Sequence, residues 1–227
     1  MSDPFSPATA GLKAVKVVIY DCDGVLIDSR GSNRAYYNHI LERFGLPPLT
    51  SAQLDFVQVS TAREAVDFLF QESPFREPAQ AYQRDMDNTP FLALLQPEPH
   101  IREVLTALRP HYRLAIATNR GKSLPLVLGK FGWEALFDFT VSSYEVSAPK
   151  PHPEGLLKIL EHFRVEPREA CYLGDAAVDQ EASSRAGVAF LAYKNQDLPA
   201  FHHLRDHRDL LKLLLPGPGR RIPKSEP

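Results

Sequence analysis

Residues 21–29 read DCDGVLIDS, directly after the apolar, β-branched run VKVVIY at 15–20. A short apolar run closed by a turn predicts a buried strand. Asp21 and Asp23 then stand where that strand leaves the core, with Gly24 to make the exit tight. Such a pair, taken alone, also describes an ordinary turn or a solvated helix start. The rest of the chain decides between the two readings.

Downstream, apolar residues at helical spacing (Ala35, Tyr37, Ile40, Leu41, Phe44) predict a helix over 32–44, with Gly45 as its stop. Thr50 with Gln53 and Thr61 with Glu64 have the spacing of capping boxes that open two more helices. A further helix is expected at 79–86. Residues 31–97 therefore read as all-helical, with no convincing strand. After Pro99 the pattern alternates. Helices are expected at 101–109, 124–131, 153–163, 180–186 and 204–215, and strands at 113–118, 137–141, 170–173 and 188–192. Strands alternating with helices on both sides of a helical stretch predict an α/β fold: a Rossmann-like parallel sheet with helices on both faces. The expected division is a core of residues 14–30 and 98–215, an inserted helical cap at 31–97, and a tail at 216–227 too rich in Pro, Gly and charge to build a core.

The 227 residues are 44% hydrophobic, enough for a full core, and the formal net charge is −2. That balance gives no electrostatic case for nucleic acid or an anionic membrane as partner. The two cysteines, Cys22 and Cys171, form no CxxC pair and no zinc-site spacing. The N-terminus lacks a secretory pattern and no segment has membrane-spanning length. The expectation is a cytoplasmic protein, monomer or homodimer, and a small anionic substrate stays open because a local site can be positive on a nearly neutral protein.

In open parallel sheets, ligands bind beyond the C-terminal strand ends. Asp21 and Asp23 follow the first strand, Thr118 and Asn119 end the second, and Asp175 follows a later one, so topology gathers them at one rim. Carboxylates gathered in this way repel unless a cation neutralises them. All-oxygen ligands without a His or Cys cluster favour Mg²⁺ over zinc. Lys150, in SAPKPHPEG, follows another strand and could reach the same rim. A divalent ion, a lysine and a hydroxyl around a carboxylate suit a phosphoryl group.

These residues resemble the four motifs of the haloacid dehalogenase superfamily, in its phosphatase branch with a small helical cap. The motifs are Asp21-Cys22-Asp23-Gly24-Val25, ATNR with Thr118, Lys150-Pro151, and Gly174-Asp175 through Asp179. The resemblance covers residues 14–214. It implies Asp21 as nucleophile and metal ligand, and Asp23 as acid/base with its carbonyl on Mg²⁺. It implies Asp175 as the third protein ligand and Asp179 as support to the metal. Thr118, Asn119 and Lys150 would hold the phosphoryl group. Asp179 also suits a first-turn helix acid.

The resemblance also sorts the branches. Asp23 disfavours carbon–halogen cleavage, since the dehalogenases lack that second aspartate. Residues 31–121 contain no lysine, which disfavours the Schiff base of the phosphonatases. The β-phosphoglucomutases carry a histidine where Asn33 stands here. Phosphoglycolate-phosphatase-like hydrolases fit best, with phosphoglycolate, sugar phosphates, nucleotides and pyrophosphate all open as substrates. The alternatives are a phosphotransferase or mutase, or a non-catalytic regulatory protein of the same fold. In the cap, Arg34, Arg63, Arg76 and Arg84 are candidates for a second anionic group, with Ser60 and Arg63 preferred as substrate contacts. Cys22 reads as a buried filler rather than a redox thiol, and His202, His203 and His207 as solvated helix residues.

Overall fold

The run that ends at Asp21 becomes the strand on which the whole sheet is laid. The computed structural model describes residues 11–215. The expectations for the tail, and for most of the N-terminal lead-in, lie outside the described residues; 11–14 form a single 3₁₀ turn. In chain order the elements begin with β1 (Val17–Tyr20), β2 (Ile27–Asp28), α1 (Arg30–Arg43), α2 (Ser51–Val59), α3 (Ala62–Leu69), α4 (Arg76–Asp85), α5 (Thr89–Leu92) and β3 (Gln96–Pro97). They continue with α6 (Ile101–Leu108), β4 (Arg113–Ala117), α7 (Leu124–Phe131), β5 (Phe139–Val141), α8 (Glu154–Phe163) and β6 (Ala170–Gly174). The last are α9 (Ala177–Ala186), β7 (Ala189–Tyr193), β8 (His202–Leu204) and α10 (His207–Leu214).

Six strands form one parallel sheet in the order β5-β4-β1-β6-β7-β8. Alternation along β1 feeds both faces. Val18 and Tyr20 pack with α6, α7 and α10, while Val17 and Ile19 pack with α8 and α9. A strand covered on both faces has no solvent side, which is why its sequence is continuously apolar. Each fully buried aliphatic side chain there contributes about 1.5–3 kcal/mol. The fold is thus the Rossmann-like α/β core expected, with helices on both faces.

Helices α1 to α4 gather around a separate apolar cluster that includes Tyr37, Ile40, Leu54, Val66 and Phe70. Thr50 and Thr61 do open α2 and α3 with reciprocal capping boxes. The stretch is not wholly helical, however. Gln96 and Pro97 pair antiparallel with Asp28 and Ile27, making a two-stranded ribbon where the chain enters and leaves the cap. Two residues show no alternation, and the pairing depends on a partner far away in sequence.

The C-terminal region also departs from expectation. His202–Leu204 is an edge strand, and Asp206 caps the following helix by accepting from the Arg208 amide at 2.8 Å. His207 is buried rather than solvated. Its Nε2–H donates to the Val25 carbonyl at 2.7 Å, and its ring stacks on Tyr193 at 4.2 Å.

Burial pulls the His207 imidazole from its ordinary 6.5 down to about 4. The unfolded chain takes a proton below pH 6.5 that the folded chain refuses until about pH 4, so stability is full above 6.5 and falls as pH drops through that window. The loss between pH 7 and pH 5 is about 2 kcal/mol. Urea unfolding of the wild type should therefore weaken across this interval by more than that of His207→Gln. Equal slopes would place the acid sensitivity elsewhere.

Candidate active site

The strand order sets the order of the polar residues along one edge of the sheet. Lys150 lies in the loop after β5, Thr118 directly follows β4, Asp21 follows β1 and Asp175 follows β6. The ladder continues one residue past the strands: the Asp21 amide donates to the Leu173 carbonyl at 2.8 Å, and that of Thr118 to Val141 at 3.0 Å. Backbone pairing therefore places the first carboxylate and the hydroxyl. Asp179 sits in the first turn of α9, where its Oδ2 accepts from the Ala176 amide at 3.1 Å. It caps its helix and faces the site at once.

The Lys150 ammonium joins these groups. Nζ donates to Asp21 Oδ1 at 2.7 Å, to Asp179 Oδ1 at 2.6 Å and to the Tyr172 hydroxyl at 3.0 Å. The Tyr172 hydroxyl is itself 2.8 Å from Asp179 Oδ1 and 3.1 Å from the Ala117 carbonyl. Burial opposes the charge of Lys150, yet Asp179 and Asp21 together hold its pKa above the ordinary lysine value.

Carboxylate oxygens of Asp21, Asp175 and Asp179 lie within 4.8 Å of one another. Burial, against the pull of Lys150 and with the push of Asp179, raises Asp21 to about 7. Burial followed by the charges of Asp179 and Asp21 raises Asp175 to about 8. Carboxyls this crowded want a second positive charge. The oxygen-only donor set fits a hard divalent cation.

Gly24 makes the crowding possible. Its φ is +81°, and a Cβ there would lie 2.2 Å from Asp175 Oδ2. A side chain is excluded both by the left-handed backbone and by the carboxylate against it.

Arg120 was not singled out in the sequence, although it ends the ATNR run. Its Nε donates to Asp23 Oδ2 at 2.9 Å, its Nη2 bonds the other Asp23 oxygen, and its Nη1 donates to Ser123 Oγ at 3.0 Å. The fork fixes the Asp23 carboxylate in a charge-assisted pair. Tyr172 was missed too, because in ACYLG it reads as an inward aromatic of a strand, with no sign that its hydroxyl has a partner. Asn119, expected to hold phosphate, has its side chain committed elsewhere. Its Oδ1 accepts from the Lys150 amide at 2.9 Å, and its Nδ2 donates to the Lys150 and Val59 carbonyls, each at 3.0 Å. It shapes the lysine loop and ties it to the cap.

One cavity opens over this rim, walled by the cap. Ser60 lines it, although its Oγ donates to the Phe56 carbonyl at 2.8 Å. Arg63 is exposed and does not line it, nor do Arg34, Arg76 or Arg84; Arg76 pairs instead with Asp67 at 2.7 Å. Both cysteines are buried free thiols, and burial raises that of Cys171 to about 12, so neither presents a reactive thiolate.

Residues 18–193 match the family model of haloacid dehalogenase-like hydrolases. The chain belongs to this family. It is 27% identical over 208 residues to a phosphoglycolate phosphatase of Aquifex aeolicus, covering 88% of this chain and 97% of that one. It is 26% identical over 203 residues to a phosphorylated carbohydrates phosphatase of Thermotoga maritima, covering 87% of this chain and 91% of the relative. Among solved structures, a subfamily IA hydrolase of the superfamily from Geobacter sulfurreducens superposes with a TM-score of 0.74 at 37% identity, covering 91% of this chain and all of that one. The chain is a hydrolase acting on phosphoric monoesters. Among the described residues no helix is long and apolar enough to cross a membrane.

Gly24→Ala is expected to cost about 1–2 kcal/mol from the backbone alone and to displace Asp175, so turnover should fall with stability. Gly31→Ala is the control: its added Cβ meets nothing within 4 Å, and in α1 it should be neutral or stabilising by up to about 1 kcal/mol. Melting curves and turnover of the two variants check this; matching behaviour would mean that Gly24 answers to no special constraint.

Proposed function

We propose that the protein is a Mg²⁺-dependent phosphatase of the cytoplasm that hydrolyses a small phosphate monoester through an aspartyl phosphate on Asp21. The observation that carries this reading is the joint placement of Asp21, Asp23, Thr118 and Lys150 at one rim, with the Asp175 and Asp179 carboxylates beside Asp21. Asp21, Asp175 and the main-chain carbonyl of Asp23 would hold Mg²⁺, supported by Asp179, and the bound ion would offset charge on the phosphoryl oxygens. A cytoplasmic setting accords with two buried free thiols.

The chain's own residues divide the chemistry. A carboxylate oxygen of Asp21 attacks phosphorus, and the bond from phosphorus to the substrate's alcohol oxygen breaks. Asp23 gives its proton to that departing oxygen. Water then attacks phosphorus, Asp23 takes the proton back, and Asp21 leaves as a free carboxylate with inorganic phosphate. Lys150 and Thr118 hold the equatorial oxygens and keep the displacement in line. Arg120 acts through Asp23: its fork bonds both carboxylate oxygens and fixes the position and plane of the acid/base. Ser60 remains a candidate contact for the substrate beyond the phosphoryl group. The named activities of the relatives leave that part open between a carboxylate-bearing compound and a carbohydrate.

Asp21→Asn, nearly isosteric, should lower kcat by about 10³-fold or more while leaving the fold intact by circular dichroism. Phosphate release by the wild type should vanish in chelator and return with Mg²⁺. An Asp21→Asn enzyme that turns over normally, or wild-type release that survives chelation, would overturn the mechanism. An isomerised phosphate ester in place of inorganic phosphate would identify a mutase instead. Arg120→Ala should lower kcat by about 10–100-fold with a smaller change in KM, and Arg120→Lys should recover part of the loss. Loss confined to KM would assign Arg120 to substrate binding.

A further inference from the structure

The loop between β5 and Lys150 holds a large aromatic side chain in the open. Tyr144 is 64% exposed, yet it lines the cavity over Asp21. A single exposed aromatic needs no explanation by itself, but this one is held in place. Glu145 Oε2 accepts from the Ser142 amide and from the Ser142 hydroxyl, each at 2.7 Å, and the Glu145 amide donates to the Ser142 carbonyl at 3.0 Å. The Ser143 amide donates to the Arg120 carbonyl at 3.2 Å, which fastens the turn to the segment that follows Thr118. Tyr144 therefore projects from a turn that is closed by its neighbours and tied to the rim.

The ring is seated on Gly121, which lines the same cavity. A Cβ on Gly121 would lie 2.8 Å from Tyr144 Cδ2 and closer still to Cε2, so only glycine leaves room for the ring. The backbone itself makes no such demand, because the φ of Gly121 lies outside the left-handed region. What Gly121 provides is space. It stands three residues beyond Thr118, so at most about 11 Å separates the two Cα atoms, within reach of a ring-sized alcohol whose phosphoryl group sits at the rim. The cap adds a second fixed aromatic to the cavity: Tyr36, whose hydroxyl accepts from Gln83 at 2.8 Å and whose ring meets Phe91 edge to face at 5.3 Å. A tyrosine held in this way offers a large contact face at little entropic cost, since few torsions remain to be fixed on binding.

We propose that Tyr144 is a specificity-determining residue of this site: its exposed ring face binds the alcohol portion of the ester, and Gly121 keeps the ring in position. The inference rests on the phosphatase reading and places a selecting group on the core rather than on the cap. Stacking of this kind binds substrate and transition state alike, so it acts on KM and leaves the chemical step alone.

The test is steady-state hydrolysis by the full chain with Mg²⁺ of p-nitrophenyl phosphate, whose alcohol is a ring, and of a short ester, 2-phosphoglycolate or glycerol phosphate, whichever the wild type turns over faster. Tyr144→Ala should lower kcat/KM for p-nitrophenyl phosphate by about fivefold, carried by KM, and change that for the short ester by less than about twofold. Tyr144→Phe should keep wild-type values, since the ring and not the hydroxyl makes the contact. Gly121→Ala, which pushes the ring off its seat, should repeat the loss on p-nitrophenyl phosphate, and in the Tyr144→Ala background it should add nothing further. This cycle decides by itself where the wild type turns over no short ester. Wild-type kinetics in Tyr144→Ala, a loss shared equally by both esters, a Tyr144→Phe variant as impaired as Tyr144→Ala, or a Gly121→Ala effect that persists in full without the ring would each overturn this assignment and leave the phosphatase reading standing. So would wild-type activity on the short ester with none on p-nitrophenyl phosphate. Wild-type release from none of these esters would overturn the phosphatase reading and the inference with it.

Discussion

The Lys150 ammonium, 2.7 Å from Asp21 Oδ1 and 2.6 Å from Asp179 Oδ1, holds together carboxylates that would otherwise drive each other apart. Both carboxylates and the lysine are nearly inaccessible to water. In such surroundings unpaired charge is far more costly than at the surface, so the pairing decides whether the rim can exist at all. Burial above all, with the crowding of Asp21, Asp175 and Asp179 around a single cation, pushes Asp21 and Asp175 towards their protonated forms. The same crowding makes the site receptive to a divalent ion.

Around that pairing, neighbouring residues act as fixtures. Tyr172 stands on β6 with its hydroxyl against both Lys150 and Asp179. Asn119 grips the backbone of the lysine loop and reaches the cap through Val59. Arg120 does for Asp23 what Lys150 does for Asp21, so each aspartate of the first motif has its own cation. The two aspartates are thereby given different surroundings on one short turn. The cap contributes no charge to the cavity. It closes the site with a preformed network of amides, hydroxyls and aromatic rings.

Much of this was legible in the chain. The apolar run before Asp21, the alternating elements after Pro99 and the capping boxes at Thr50 and Thr61 are local patterns, and local patterns survive into the fold. The gathering of Asp21, Thr118, Lys150 and Asp175 followed from parallel topology, since every strand of such a sheet ends on the same edge. The ribbon of Ile27–Asp28 with Gln96–Pro97 was not legible, because two residues carry no period. His207 looked solvated beside His202 and His203, yet the turn at Asp206 rolls it into the core against Tyr193. The cap arginines were plausible contacts by composition alone; where their helices turn them is a matter of packing, and it turns them away from the cavity.

The sequence by itself determined the alternation of strand and helix, the place of the inserted helices, and which carboxylates stand at strand ends. These depend on apolar periodicity, caps and turn residues, whose physics acts within a few residues. Only the tertiary structure decided the partners: Arg120 on Asp23, Tyr172 on Lys150 and Asp179, Asn119 on the lysine loop, and the neutral lining of the cap. Apart from Tyr172 on Asp179, these side-chain contacts join segments far apart in the chain, chosen by sheet order and by the angle at which helices pack. Side-chain direction at those distances is set by the whole core, and no local pattern of residues carries it.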